Sequence, residues 1–349
     1  MKVAVLVSGG VDSSVALKFL KEQGHEITAF YLKIWLDDEL SFLGNCPWER
    51  DLDYVHALCK QLQVPLEVLS LQKEYWDEVV SYAIAEIKKG RTPNPDIFCN
   101  QRIKFGLFWD KIEQLFERVA TGHYAQLQNN GEDVQLLCAP DPVKDQTYFL
   151  SHLSQEQLKR ALFPIGHLQK SAVRAFAQQF DLPTKDRKDS QGICFLGKLK
   201  FREFVKYHLG EKTGELREVE TGKQVGQHAG YWFYTIGQRQ GIGLAGGPWY
   251  VVAKDIEKNI ICISRNYYAA DKKRNSFSVA NCSWFTEPPK KEKLQVKIRH
   301  GAHRHACTVK IDASGNAAVV LATRDQGIAA GQFAVFYDGK VCLGGGTIE

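Results

Sequence analysis

The chain has 349 residues, 44% of them apolar and 24% charged, with a net charge of +5 at neutral pH. These are the proportions of an ordinary folded protein, and at ~100 to 200 residues per domain the length predicts two or three domains. No apolar run approaches the ~18 residues of a membrane span, and the start MKVAVLVSGG lacks a signal-peptide cleavage pattern, so a cytoplasmic protein that does not engage a membrane is expected.

Residues 3–7 are a continuous, β-branched-rich run, which predicts a strand buried on both faces. After them Val11, Val15, Ala16, Phe19 and Leu20 recur at helical spacing, Asp12 or Ser13 is placed to cap the start, and Gly24 ends the helix. The turn between is SGGVDSS, residues 8–14. Such a turn aims free backbone N–H groups and a helix dipole at one point and favours an anion, most often a phosphate. It lacks the lysine of G-x-x-x-x-G-K-[ST], and adjacent Gly9 and Gly10 do not make G-x-G-x-x-G. What remains is a hydroxyl-rich anion cradle with one carboxylate, Asp12, able to bring Mg²⁺; a glycine-bearing turn that binds nothing is the alternative.

Further along, a second strand is predicted over 26–35, then a helix carrying Val55, Leu58, Cys59 and Leu62. A third strand follows over 66–71 with Pro65 just ahead of it, then a helix over 75–88 and a short strand over 119–124 ending in TGHY. Strands alternating with helices argue for an α/β fold with a doubly wound parallel sheet that takes ligands at its strand ends. From about residue 210 the pattern changes to short alternating segments broken by glycine, with a hairpin turning near 257–259. From about residue 275 there are about six short strands, with a tight turn at 337–340. The expected organisation is a catalytic domain at 1–200, a small β-rich domain at 201–272 and a C-terminal β-barrel at 273–349.

The nine cysteines contain no C-x-x-C pair, so neither an iron–sulfur cluster nor a zinc site is expected, and no other metal site suggests itself. Two of them have distinctive surroundings. Cys99 lies in RTPNPDIFCNQRIKF, where Asn94 can cap a helix, Pro95 suits its first position and Asp96 shares a face with the thiol. There a dipole would lower the thiol pKa while the carboxylate raises it, which suits a nucleophile beside an acid/base group; filling a helix face is the alternative. Cys194 lies in KDRKDSQGICFLG, a polar, glycine-bearing approach that reads as a loop delivering a thiol, with a buried strand end as the alternative. Residues 290–310 carry seven Lys or Arg against Glu292 alone, either a solvated face or a surface for a polyanion such as RNA.

SGGVDSS, RTPNPDIFCN, TGHY, KDQTYFL, DSQGICF, KFREF, TIGQRQG, PWYVV and the closing GQFAVFY with CLGGG occur in the order and spacing of the bacterial tRNA-specific 2-thiouridylases, the MnmA family, which the chain resembles from end to end. The resemblance implies the PP-loop ATP-pyrophosphatase fold and a sulfurtransferase. Such an enzyme adenylates the C2 oxygen of the wobble uridine with Mg-ATP and replaces it with sulfur, releasing AMP and pyrophosphate. It also assigns residues. Val7, Ser8, Gly9, Gly10, Val11, Asp12, Ser13, Ser14, Leu32 and Gly122 would hold ATP, although some relatives have methionine where Leu32 stands. Cys194 would carry the persulfide, Cys99 would be the second thiol in a transient disulfide or sulfide-releasing step, and Asp96 the acid/base. Asn94, Pro95, Asp96, His123, Lys144, Asp145, Gln146, Arg299, His300 and Gln332 would contact tRNA, with His300 at a place where some relatives have tyrosine. Implied partners are the glutamate, glutamine and lysine tRNAs and an upstream sulfur-relay protein or cysteine desulfurase, with the chain itself a monomer. Rival classes sharing the opening loop are small-molecule ligases such as argininosuccinate, GMP or NAD synthetase, an iron–sulfur tRNA thiolase, and an RNA-binding module with a vestigial nucleotide site.

Overall fold

The computed structural model describes residues 1–34, 48–189, 201–269, 271 and 274–349. Strands β1 (Lys2–Leu6), β2 (Glu26–Lys33), β3 (Leu66–Ser70), β4 (Arg118–Ala120) and β7 (Ala161–Leu162) form a parallel sheet in the order β3-β2-β1-β4-β7. Alternate residues of β1 face opposite sides, and both sides are covered. Val3 and Val5 join the core with Val15 and Leu20 of α1 (Val11–Glu22), Leu58 of α2 (Trp48–Leu62), and Val173 of the helix Lys170–Gln179. Ala4 and Leu6 join Phe30, Val79, Ile97 and Phe108 on the other side. This two-sided burial is why the run reads as uniformly apolar rather than alternating.

The sequence-predicted elements shift in three places. The helix expected over 75–88 begins earlier, at Gln72, and carries a wide π turn at Trp76–Val80 before Ser81–Lys88. The strand expected over 119–124 stops at Ala120, and TGHY turns away to pack on the start of α1. Neither Asp12 nor Ser13 caps α1. Gly10 occupies the N-cap position without a side-chain bond, while the Ser13 and Ser14 hydroxyls both donate to its carbonyl.

The middle of the chain forms a four-stranded sheet, β10-β11-β8-β9, from β8 (Gly214–Glu218), β9 (Gln224–His228), β10 (Tyr250–Asp255) and β11 (Ile260–Ser264). The expected hairpin is present, with Asn259 at φ 55° in its turn. Six strands follow: β12 (Arg274–Trp284), β13 (Lys293–Lys297), β14 (His305–Ile311), β15 (Ala317–Asp325), β16 (Phe333–Asp338) and β17 (Val341–Ile348). They close as a barrel through β12 and β17. The glycines of CLGGG permit that closure: a Cβ on Gly344, at φ 123°, would stand 2.1 Å from the Ser283 carbonyl oxygen.

One hairpin, β5 (Ala125–Asn130) with β6 (Asp133–Cys138), has no counterpart among the sequence expectations. It leaves the first layer and extends the barrel sheet, pairing Leu137 with Val341 and Leu136 with Cys342. Among the described residues no helix is long and apolar enough to cross a membrane.

The basic segment 290–310 is not a free cationic stripe. Lys291 pairs with Asp338, Arg299 with Asp325, and Arg304 lies over the Tyr337 ring. Lys297 and Asp145 are both 1% exposed and pair at 2.8 Å, and Asp145 also accepts from Thr147 Oγ1 and the Ala139 amide. Removing one member of such a pair strands a charge in the interior. Lys297→Met should therefore lower unfolding stability in urea by about 3 to 5 kcal/mol, and adding Asp145→Leu should recover most of that loss.

Candidate active site at the switch point of the sheet

The chain runs from β1 out to β3 on one side and returns to β4 on the other, so the ends of β1 and β4 flank the point where strand order reverses, the usual ligand crevice of such sheets. Residues 8–14 lie there. Gly9 takes φ 73°, and a Cβ on it would meet the Asp51 carbonyl oxygen at 2.7 Å and the Arg187 guanidinium at 2.8 Å. The Ser8 amide donates to Ser13 Oγ, which closes the loop on itself. Gly122 of TGHY packs so tightly on α1 that a Cβ would lie 2.6 Å from the Ser13 nitrogen. Leu32, half-buried, lies near the end of the adjacent β2.

Asp12 is held from outside the loop. Tyr124 Oη donates to its Oδ1 at 2.7 Å, and Lys170 Nζ, at the start of the helix Lys170–Gln179, reaches the same oxygen at 2.6 Å. Lys170 also pairs with Asp189 at 2.8 Å, and Asp189 binds Lys144 at 2.5 Å and Arg174. Burial alone would raise the Asp189 carboxyl, but hydrogen bonds from Lys144 and Lys170 outweigh it and hold the group well below the usual carboxylate range. Arg187 donates to the Gly9 carbonyl and to Asp51 while lying over the Tyr54 ring.

Asn94 opens the helix Pro95–Phe98, as expected, but its side chain does not cap it; it hydrogen-bonds Tyr148 instead. Cys99 follows at the junction with a wide π-helical stretch, Cys99–Leu107. Cys99 is 1% exposed, and burial pushes its thiol up; Lys104 pulls it down, Asp96 pushes it up, and a hydrogen bond from Tyr75 lowers it. Lys104 bonds Asn100 at 2.9 Å, and Phe105 beside it meets the His123 ring of TGHY with centroids 6.5 Å apart. His123, expected to touch RNA, is buried between Phe105 and Phe163, with Nδ1 2.7 Å from Thr121 Oγ1; burial keeps its ring neutral. All seven described cysteines are free thiols, and Cys194 lies outside the described residues.

The expected RNA contacts converge although they come from both ends of the chain. His300 stacks on Phe149 at 4.5 Å, its ring hydrogen-bonds the Asp145 backbone, and it lies in the field of Asp96. Arg299 grips Asp325 through two 3.0 Å bonds and sits near Tyr148, the partner of Asn94. Gln332 donates to the Thr92 carbonyl, which places the start of β16 against the approach to Asn94 and Pro95. Gln146 accepts from the Tyr124 amide. Asp145, by contrast, is buried, its carboxylate engaged by Lys297, Thr147 Oγ1 and the Ala139 amide.

Three family models tile the chain: a tRNA methyl transferase HUP domain over residues 1–198, a tRNA methyl transferase PRC-barrel domain over 202–265, and an aminomethyltransferase β-barrel domain over 274–348. A tRNA-specific 2-thiouridylase MnmA 2 of Bacteroides fragilis is 46% identical over 355 residues, covering all of both chains. Those of Parabacteroides distasonis and Porphyromonas gingivalis are each 44% identical, covering all of this chain and 99% of theirs. The chain belongs to the tRNA-specific 2-thiouridylase family.

Three side chains of this thiouridylase-family site escaped the sequence reading: Lys170, Arg187 and Lys104. Lys170 and Arg187 sit far in sequence from the groups they serve, 158 residues in the case of Lys170 and Asp12, whereas Lys104 reaches Asn100 only four residues away. The missing loop lysine was the available signal, since an anion cradle without its own cation needs one from elsewhere.

Gly122→Ala should push the start of α1 out of place and weaken ATP binding at least tenfold while far-UV circular dichroism stays unchanged; calorimetric titration with a non-hydrolysable ATP analogue measures it. Because burial raises the Cys99 thiol, iodoacetamide should leave it largely unmodified at pH 7 in the free protein and label it faster above pH 9. Mass spectrometry of the Cys99 peptide checks this, and complete labelling at neutral pH would contradict it.

Proposed function

We propose that this chain is an ATP-dependent tRNA-uridine 2-sulfurtransferase that converts the wobble uridine to 2-thiouridine. The observation that carries the proposal is the position of the Asp96–Cys99 turn. On one side Phe105, in the helical stretch that Cys99 opens, packs against His123 of TGHY, which borders the lysine-free anion cradle; on the other Gln332 bonds the Thr92 carbonyl just ahead of residues 94–96, on the side where His300 stacks on Phe149.

The pyrimidine C2 oxygen is a poor leaving group, and esterification with AMP makes it a good one. Residues 7–14 supply backbone amides and a helix terminus for the phosphates of ATP, which fits cutting at the α-phosphate and release of pyrophosphate. Gly9 and Gly122 leave the room a side chain would fill, and Asp12 is the carboxylate that would hold Mg²⁺ beside the phosphates. Lys170, now on Asp12, and Arg187, on the Gly9 carbonyl, are the nearby cations that charge would attract. Asn94, Pro95 and Asp96 border the flipped base, and Lys144, Gln146, Arg299, His300 and Gln332 hold the surrounding tRNA.

Cys194 carries the persulfide, loaded by a sulfur-relay protein or a cysteine desulfurase. Its outer sulfur either attacks C2 and expels AMP, after which Cys99 attacks the Cys194 sulfur and releases the thiouridine, or is freed as sulfide when Cys99 attacks the Cys194 sulfur, the sulfide then displacing AMP from C2. Both routes leave a Cys99–Cys194 disulfide that a thiol reductant reopens. Asp96 moves the proton in either route. Bringing thiol and activated base together accounts for part of the ~7 to 11 kcal/mol available from orientation. Glutamate, glutamine and lysine tRNAs are the proposed substrates, and a monomer suffices for every contact named.

Cys194→Ser should abolish 2-thiouridine formation yet keep tRNA-dependent pyrophosphate release from ATP, scored by nucleoside mass spectrometry and a pyrophosphate assay. Full thiolation by that variant would remove the persulfide role. Arg299→Ala should flatten the salt dependence of tRNA binding by about one unit of slope.

A further inference from the structure

Three tyrosines outside the site form an ordered aromatic shelf. Tyr250 of β10 and Tyr267, just after β11, stack with centroids 4.6 Å apart and planes 11° from parallel. Tyr268 meets both edge-on, at 6.0 Å from Tyr250 and 5.3 Å from Tyr267. Tyr267 is buried, whereas Tyr268 is 66% exposed. A single exposed tyrosine needs no explanation, but an exposed ring braced by a stacked pair is a fixed π surface.

The surroundings of the shelf set its purpose. The Tyr267 hydroxyl lies against Gly237, where a Cβ would stand 2.7 Å away, so the shelf abuts the loop that runs from Thr235 through exposed Arg239. That loop is anchored to the base pocket, since Thr92 Oγ1 donates to Thr235 Oγ1 at 3.4 Å, two residues before Asn94. On its other side Tyr267 sits in the field of the Arg299–Asp325 pair. An aromatic surface beside one arginine, Arg299, and next to a loop that carries another, Arg239, suits an unpaired nucleobase and its phosphates.

We propose that Tyr250, Tyr267 and Tyr268 form a second RNA subsite that stacks an unpaired base of the tRNA other than the one modified, while Arg239 and Arg299 take the adjoining phosphates. The proposal rests on tRNA being the substrate. Stacking of one base on an aromatic side chain is worth about 1 to 3 kcal/mol, or about 5- to 150-fold in affinity. It carries no charge, so it shifts binding equally at every salt concentration.

The test is fluorescence-anisotropy binding of the full chain to a glutamate tRNA across a salt series. Tyr268→Ala should weaken binding at least fivefold with the slope of log Kd against log salt unchanged, and Tyr268→Phe should bind like the unaltered chain. Tyr250→Ala should repeat the loss, and a urea midpoint equal to that of the unaltered protein verifies folding of each variant. Tyr268→Ala binding within twofold of the unaltered chain overturns the subsite and leaves the shelf to a protein partner; a changed slope overturns it too, since the loss would then be electrostatic. Failure of the unaltered chain to bind tRNA at all would instead strike the proposed function.

Discussion

The ion pair between Lys297 and Asp145 sets the arrangement of everything around the candidate site. Both groups are removed from water, so each is tolerable only with the other, and the pair forces strand β13 of the barrel against the turn that follows the β5–β6 hairpin. His300 is thereby laid on Phe149, and Arg299 near Tyr148 and Asn94. One surface thus forms from segments 152 residues apart because a buried charge can be satisfied in one way. The specificity of the assembly comes from the cost of any alternative.

The nucleotide side follows the opposite logic. The turn after β1 brings amides and hydroxyls but no cation, and the positive groups come from beyond it, Lys170 at the start of a later helix and Arg187 from the following segment. Without phosphate these cations rest on Asp12, Asp51 and Asp189. The same carboxylate, Asp189, also holds Lys144, so the two halves of the site share a counter-charge. In a cleft of low dielectric, an anion entering one half alters the field felt in the other.

What could be read from sequence was local. Residues 3–24 carry their strand, turn and helix in consecutive apolar spacing, and β14 and the first part of β15 alternate buried and exposed residues as half-buried strands should. The family motifs named the residues of the site. They did not give the environment of those residues: Cys99 at a helix start implied an activated thiol, yet packing buries it, and Asn94 looked like a cap but reaches Tyr148. Lys297 belongs to a basic run that the sequence left as either a solvated face or a polyanion surface, and it is fully internal, because its partner lies at residue 145. The β5–β6 hairpin passed unseen for the same reason, since its polar, weakly alternating strands make sense only against β17.

That hairpin ties the first layer to the barrel. The edge of β6 meets Val341 and Cys342, far along the chain from the hairpin itself. Unpaired, such an edge presents open N–H and C=O groups, the kind that recruits wrong partners. The barrel therefore shields, as well as neighbours, the layer that carries the candidate site.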